Sequence, residues 1–298
     1  MQVSTRFAIA LPAGYVPAHA LAFHGRDANG PAERVEGTHI RKAVLLDGVP
    51  TLLDLAIHDD HADCAIDADG PVAARARAAL VNMLGLAIDP APFAAMVAGD
   101  ALFAPLVGRH PGLRVIQAAT VFEALTWAVI GQQINLAFAI ALRRSFIELA
   151  GRPHASGMWC YPEAADVARL DADQLGMRKF SRAKAETLLR LARLVADGDL
   201  DLERLLDEHG AAGAAERLLA IKGIGPWTVN YALLRGYGYP DCSLHGDVAV
   251  RNAIGRLLGG ADGPRPDLRE AEAFLLAYRP QRTMAAAYCW ASLGAPVA

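Results

Sequence analysis

The stretch Leu218–Val229, LLAIKGIGPWTV, decides the fold of this chain. Gly223 and Gly225 flank one apolar residue and allow a sharp turn between two helices. Pro226 suits the first position of the second helix, because its missing N–H needs no partner there. The first amides of that helix point outward at the positive end of its dipole, where phosphate binds readily. The pattern predicts a helix–hairpin–helix that holds a nucleic-acid backbone, and the alternative is an ordinary helical corner.

The size and composition of the chain favour two folded domains. It has 298 residues, of which 53% are hydrophobic, and a net charge of −3. Without an excess of basic residues, affinity for nucleic acid must come from a local patch and oriented amides. No apolar run is long enough to span a bilayer, and the N-terminus lacks a signal-peptide layout. Four cysteines lie far apart in the sequence and form no CxxC pair, which predicts that the protein resides in a reducing cytoplasm. They are Cys64, Cys160, Cys242 and Cys289.

Residues 1–112 are predicted to form an α+β domain. Asp47-Gly48 is a hairpin-turn signal between two apolar runs. Short, partly alternating segments predict strands at Ser4–Leu11, Arg41–Leu46, Thr51–Ile57 and Ala62–Ala68. Helical spacing follows at Pro71–Leu86 and Pro92–Leu106. Residues 108–112, GRHPG, break the helical pattern and mark the predicted boundary.

Residues 113–298 are predicted to form an all-α domain, with no strand beyond Thr120. A long helical region, Val121–Ala150, is interrupted at Gly131-Gln132-Gln133. Ser181 is a predicted N-cap for the helix that follows it. The other predicted helices are Arg182–Ala196, Ala214–Ile221, Pro226–Arg235, Val248–Leu258, Leu268–Ala277 and Thr283–Ser292.

Aromatic residues surround the hairpin in the sequence. Trp227 and Tyr231 are four residues apart and share one helix face. A second pair, Tyr288 and Trp290, lies near the C-terminus. Such rings commonly pack a helical core, which is one interpretation. The other is that a helix contacting a nucleic-acid backbone presents them to a base turned out of its stack.

Asp247 follows Gly246 and precedes an apolar helix. It can act as an N-cap whose carboxylate accepts hydrogen bonds from the first helical turn. It can also be a lone carboxylate at a cleft, stabilising positive charge on a sugar and orienting a water molecule. His245 has no accompanying cluster of metal ligands, so we interpret it as a loop histidine.

Four blocks of the second domain carry a family resemblance. They are TWAVIGQQINLAFA at 126–139, LGMRKFSRAKAETLLRLA at 175–192, the hairpin through HGD at 221–247, and RPQRTMAAAYCW at 279–290. In this order and spacing, the chain from Val121 onward resembles the helix–hairpin–helix DNA glycosylase superfamily, and within it the type II 3-methyladenine glycosylases. Residues 1–112 resemble those proteins only in size and type.

The resemblance implies roles for particular residues. Asp247 would be the catalytic carboxylate. Gln133 would enter the gap left by the extruded base, where well-studied members carry an apolar residue. The implied base pocket consists of Trp227, Tyr231 and Trp290. The implied DNA-backbone contacts are Gly223, Gly225 and Thr228.

The resemblance also predicts the type of reaction. Strand-cleaving relatives carry a lysine nucleophile where this chain has Trp227, and many carry a four-cysteine iron–sulfur cluster that it lacks. The resemblance therefore predicts a monomeric, monofunctional glycosylase that removes alkylated purines from double-stranded DNA without a required cofactor. A sodium or potassium ion would bind the carbonyls of Leu219, Ile221 and Ile224. The alternatives are a glycosylase for deaminated, oxidised or etheno bases, and a non-catalytic DNA-binding module.

Overall fold

The computed structural model describes residues 5–294, and its first part is built on an antiparallel sheet. The strand order is β1-β5-β4-β3-β2. The strands are β1 Thr5–Ala10, β2 Glu33–Glu36, β3 His39–Leu46, β4 Val49–Ile57 and β5 His61–Ile66. The predicted strands match β1, β3, β4 and β5, although Ser4 lies outside the described residues. Strand β2 was not predicted.

Strand β4 has one buried face, as the alternation of its side chains predicts. Leu53, Leu55 and Ile57 are buried, and the residues between them are partly exposed. The turn between β3 and β4 has positive φ at both Asp47 (53°) and Gly48 (77°). This is the backbone of a two-residue hairpin turn of the type that matches strand twist. The predicted hairpin is therefore confirmed.

Four helices accompany the sheet, and two of them pack against the far end of the chain. They are α1 Pro17–His24, α2 Gly70–Met83, α3 Ala91–Met96 and α4 Phe103–Arg109. The rings of Phe93 and Tyr288 stack with centroids 5.4 Å apart, and Phe103 meets Tyr278 edge-on at 4.5 Å. These contacts join residues on the two sides of the predicted domain boundary at residue 112. The boundary itself stays a prediction. Helix α1 was not predicted.

The second part is mainly helical. Its helices are α5 Val121–Gly131, α6 Leu136–Ala150, α7 Ala164–Ala168, α8 Ala172–Met177, α9 Arg182–Ala196, α10 Leu205–Leu219, α11 Pro226–Arg235, α12 Val248–Gly259, α13 Leu268–Leu276 and α14 Arg282–Ser292. The break between α5 and α6 was predicted. Within residues 5–294, no helix is long and apolar enough to cross a membrane.

The prediction of an all-α second domain needs a correction. Two short strands, β6 Arg152–Pro153 and β7 Trp159–Cys160, pair antiparallel. Tyr161 continues this hairpin alongside β3, where its carbonyl accepts a hydrogen bond from the Leu45 amide at 3.1 Å. Strands of two residues are too short to produce an alternating pattern, so periodicity could not predict them.

A buried ionic cluster joins the sheet to α5 and α6. Lys42 Nζ lies 2.7 Å from Oε1 of both Glu33 and Glu123. Arg143 Nη2 lies 2.8 Å from Glu33 Oε2 and 2.7 Å from Glu123 Oε1. Burial alone would raise the pKa of each glutamate, but the two cations outweigh it and hold both pKa values low. The cluster fixes the sheet against α5 and α6.

Candidate active site

A cleft of about 1030 Å³ opens between the hairpin, the α5–α6 loop and the start of α12. Its walls are drawn from residues 131–136, 223–228 and 246–252. The structure thereby brings together six of the predicted site residues from three separate segments of the chain: Gln133, Gly223, Gly225, Trp227, Thr228 and Asp247. The volume is large enough for a nucleobase and part of its sugar.

Asp247 accepts three hydrogen bonds. Its Oδ1 accepts from the Val250 amide at 2.9 Å and from Trp290 Nε1 at 3.1 Å. Its Oδ2 accepts from Trp227 Nε1 at 3.0 Å. A deprotonated carboxylate is an acceptor only, so all three donors suit that form of the side chain. Asp247 remains half-exposed at the cleft.

The N-cap interpretation of Asp247 is confirmed but incomplete. The Val250 amide is the usual partner of a capping carboxylate. Capping does not require the two indole donors, which come from helices α11 and α14. These two donors fix the plane of the Asp247 carboxylate at the edge of the cleft. The side chain is thus both a cap and an oriented negative charge.

The predicted base-pocket rings lie at different depths. Trp227 is half-exposed in the cleft, and its ring centroid is 5.2 Å from that of Tyr231. Tyr231 and Trp290 are buried behind the cleft and do not line it. Trp290 contacts the site through its hydrogen bond to Asp247, and Tyr231 contacts it through the ring of Trp227. Their contact with a base stays a prediction.

A further layer behind these rings was missed by the sequence analysis. Trp127 Nε1 donates a hydrogen bond to the Tyr231 hydroxyl at 2.9 Å. The Arg26 guanidinium covers the Trp127 ring at 4.5 Å, and that of Arg235 lies 5.7 Å from the Trp290 ring. Burial lowers the pKa of Arg235 to about 10. Trp127 stands in a mainly apolar helix, where a ring is typical of core packing, so it was not singled out as a site residue.

The hairpin has the geometry that its glycines predict. Gly223 has φ of +99°, and a Cβ there would overlap the Thr187 hydroxyl. Gly225 is the N-cap of α11, and open space faces it. Neither amide has a hydrogen-bond partner among residues 5–294. Two N–H donors and the start of α11 therefore remain available to an anion.

The α5–α6 loop is tied to the hairpin by Gln132, which the sequence analysis did not single out. Its Nε2 donates to the Gly223 carbonyl at 3.1 Å and to Thr228 Oγ1 at 2.9 Å. Lys184 Nζ holds the same loop through the Gln132 carbonyl at 2.7 Å. Gln133 is exposed at the cleft with φ of +56°. Thr228 is buried, so its contact with DNA stays a prediction.

Other predicted ligand positions have local partners. The Ile221 carbonyl accepts the Ile224 amide at 3.0 Å, so one of the three carbonyls predicted to bind a monovalent ion is already engaged. His245 Nδ1 hydrogen-bonds to Ser243 Oγ at 2.9 Å within its loop. In the described part of the chain, neither His245 nor Asp247 belongs to a group of three potential metal ligands.

The hairpin, the cleft and its carboxylate define a helix–hairpin–helix DNA repair protein. Residues 126–276 match the HhH-GPD superfamily of base excision DNA repair proteins, and the chain belongs to this family.

Known proteins of this kind align over most of the chain. The DNA-3-methyladenine glycosylase of Bacillus subtilis is 30% identical over 262 residues, which cover 85% of this chain and 86% of that protein. DNA-3-methyladenine glycosylase 2 of Escherichia coli is 27% identical, covering 83% of this chain and 82% of its own. The solved 3-methyladenine DNA glycosylase of Archaeoglobus fulgidus has a TM-score of 0.82 at 22% identity, with 96% and 97% of the two chains covered. This last likeness shows the shared fold.

Proposed function

We propose that this protein is a DNA glycosylase of base excision repair that hydrolyses the N-glycosidic bond of alkylated purines. 3-Methyladenine and 7-methylguanine are the expected bases. The observation that carries the proposal is the Asp247 carboxylate, oriented by two indole N–H groups at a cleft beside the glycine hairpin. The named relatives, which align over most of the chain, support the choice of substrate.

Access to the bond requires a nucleotide to leave the duplex. Turning a base out of its stack costs a few kcal/mol, and least for a damaged base. The free amides of Gly223 and Gly225 would hold a phosphate of the bent strand. Gln133, exposed at the cleft, would occupy the space left in the stack. Because Gln132 ties the loop of Gln133 to the hairpin, the phosphate contact and the inserted side chain would be positioned together.

The chemistry then needs one carboxylate. The electron pair of the glycosidic bond leaves with the base, and positive charge develops on the sugar. Asp247 would stabilise that charge and orient the water that attacks it. A purine alkylated at N3 or N7 carries a positive charge and departs neutral, so no general acid is needed. The proton released by the attacking water passes to Asp247 or to solvent.

Selectivity for cationic bases would come from the exposed face of Trp227. A cation over an aromatic ring is stabilised by about 0.5–2 kcal/mol. Together with the weak glycosidic bond of a cationic purine, this favours alkylated bases over normal ones.

The product would be an intact abasic site. Among residues 5–294, no lysine lines the cleft. Lys184, which approaches from α9, is held by the carbonyls of Ile130 and Gln132, and burial lowers its pKa. A Schiff base with the sugar therefore has no nucleophile in the cleft. The enzyme would act as a cytoplasmic monomer on double-stranded DNA without a required cofactor. A sodium or potassium ion would bind the carbonyls of Leu219, Ile221 and Ile224.

The proposal is tested by identifying the bases released from randomly methylated double-stranded DNA. Release of 3-methyladenine and 7-methylguanine, without strand cleavage until alkali is added, is the expected result. Parallel substrates with deaminated, oxidised or etheno bases distinguish the rival specificities. Salt-dependent DNA binding without any base release would instead identify a non-catalytic module.

A further inference from the structure

A cluster of metal-binding side chains lies at the turn between β4 and β5, away from the cleft. The turn reads His58-Asp59-Asp60-His61, and the His58 amide donates to the His61 carbonyl at 2.9 Å. The two imidazole rings stack with centroids 4.7 Å apart. Asp63 is two residues beyond His61 on β5, so it projects from the same face of the sheet.

The distances among these side chains suit a tetrahedral metal ion. His58 Nε2 lies 3.3 Å from Asp63 Oδ2, and His61 Nε2 lies 3.7 Å from Asp63 Oδ1. One ligand atom from each residue lies within 4.8 Å of the others. A tetrahedral Zn²⁺ with bonds of about 2.0–2.1 Å separates its ligands by about 3.3 Å. Small side-chain rotations would therefore complete the site.

Asp60 provides the supporting contact that histidine ligands commonly have. Its Oδ1 lies 2.6 Å from His61 Nδ1. This hydrogen bond places the ring proton on Nδ1 and leaves the lone pair of Nε2 directed toward Asp63. Such carboxylate–histidine pairs orient the ring and increase its basicity as a ligand.

We infer that His58, His61 and Asp63 form a binding site for a divalent transition metal ion such as Zn²⁺. Two imidazoles and one carboxylate are ligands that zinc accepts, and water would fill the remaining position. The ion would connect the two strands across their turn. None of these three residues lines the cleft, so the inference does not rest on the proposed glycosylase activity.

The test is calorimetric titration of ZnCl₂ into the metal-free full-length protein. We expect saturable binding of one ion. The double variant His58→Ala/His61→Ala should bind at least about tenfold more weakly, because it lacks two of three ligands. His39→Ala is the matched control, since His39 is exposed on the neighbouring strand β3 without belonging to the cluster. It should bind zinc as the unaltered protein does.

A second variant separates ligand loss from loss of folding. Asp60→Asn keeps every proposed ligand and should weaken zinc binding about 10-fold, as loss of a supporting carboxylate does. Asp59→Asn, in the same turn, should have no effect. Zinc should also raise the melting temperature of the unaltered protein but not that of the double variant. Equal zinc affinity in the unaltered protein and the double variant, or no saturable binding to the unaltered protein, would overturn the proposal.

Discussion

Two regions of this molecule contain carboxylates beside helices, and the partners of these carboxylates differ. In one region the partners are cations, and in the other they are neutral hydrogen-bond donors. In the ionic cluster between the sheet and α5, each carboxylate meets two cations at 2.7–2.8 Å and is buried. At the cleft, Asp247 meets three neutral N–H donors, and within residues 5–294 it forms no salt bridge. The glutamate charges, neutralised by cations, stabilise the fold. The Asp247 charge is oriented by neutral donors and is not neutralised, so it can stabilise positive charge that develops on the sugar.

The largest effect is expected from Asp247→Asn, which removes the charge and keeps the shape. Asn is as good an N-cap as Asp, so the fold should persist. Base release should fall by about 10³-fold, because the charge on the sugar loses its stabilising partner. Single-turnover excision and DNA affinity are measured side by side, with affinity expected to persist.

Asp267→Asn provides the matched control for that variant. Asp267 caps α13 with the same amide contact, to Glu270 at 2.8 Å, and does not line the cleft. Its variant should excise bases at the unaltered rate. Near-normal excision by Asp247→Asn would remove the proposed role of that carboxylate.

In the ionic cluster, Lys42→Met should change stability rather than chemistry. Two buried carboxylates would lose one of their cations, which costs about 3 kcal/mol of unfolding free energy. Urea unfolding measures the change. The exposed pair of Arg182 and Glu186 is the control, and Arg182→Met should leave the free energy of unfolding nearly unchanged, because solvent screens exposed ion pairs. Equal losses in both variants would contradict the assigned difference between buried and exposed pairs.

Acidification should weaken the same cluster by a smaller amount. The folded-state pKa values of Glu33 and Glu123 lie below the unfolded value of about 4.3. Their stabilising contribution is therefore complete above that pH and is lost as pH falls through the folded values. Urea midpoints measured from about pH 6 to pH 3 should fall less steeply in Lys42→Met. Parallel slopes would show that Lys42 does not hold these pKa values low.

The smallest effect is expected from Trp227→Phe, which keeps a ring in the cleft but removes one N–H donor from Asp247. A hydrogen bond to a charged group contributes about 1.5 kcal/mol, so excision should slow about tenfold. DNA affinity should not change. Trp159→Phe, on the partly exposed β7, is the control. An unchanged excision rate in Trp227→Phe would show that the indole donor does not orient the carboxylate for catalysis.

The sequence predicted well where local signals are strong. The bounds of α9 and α11 agree with the structure, as do the caps at Ser181 and Asp247. Through the family resemblance it also singled out six residues that line the cleft, whereas the predicted pocket residues Tyr231 and Trp290 lie buried behind it. Long-range contacts left no such signal. Lys42 and Glu123 are 81 residues apart, and nothing in either neighbourhood indicates the other.

The aromatic packing of α3 and α4 against the end of the chain has a consequence for synthesis on the ribosome. Phe93 and Phe103 contact each other, but they meet the rings of Tyr288 and Tyr278 only when residues 278–288 have emerged. Asp100 meets the Tyr278 hydroxyl across 178 positions. At about 5–20 residues per second, that interval lasts roughly 10 to 40 s. During it, these rings lack the surface that later covers them. The lobe containing both α3 and α14 is therefore completed last, after the intervening helices have been translated.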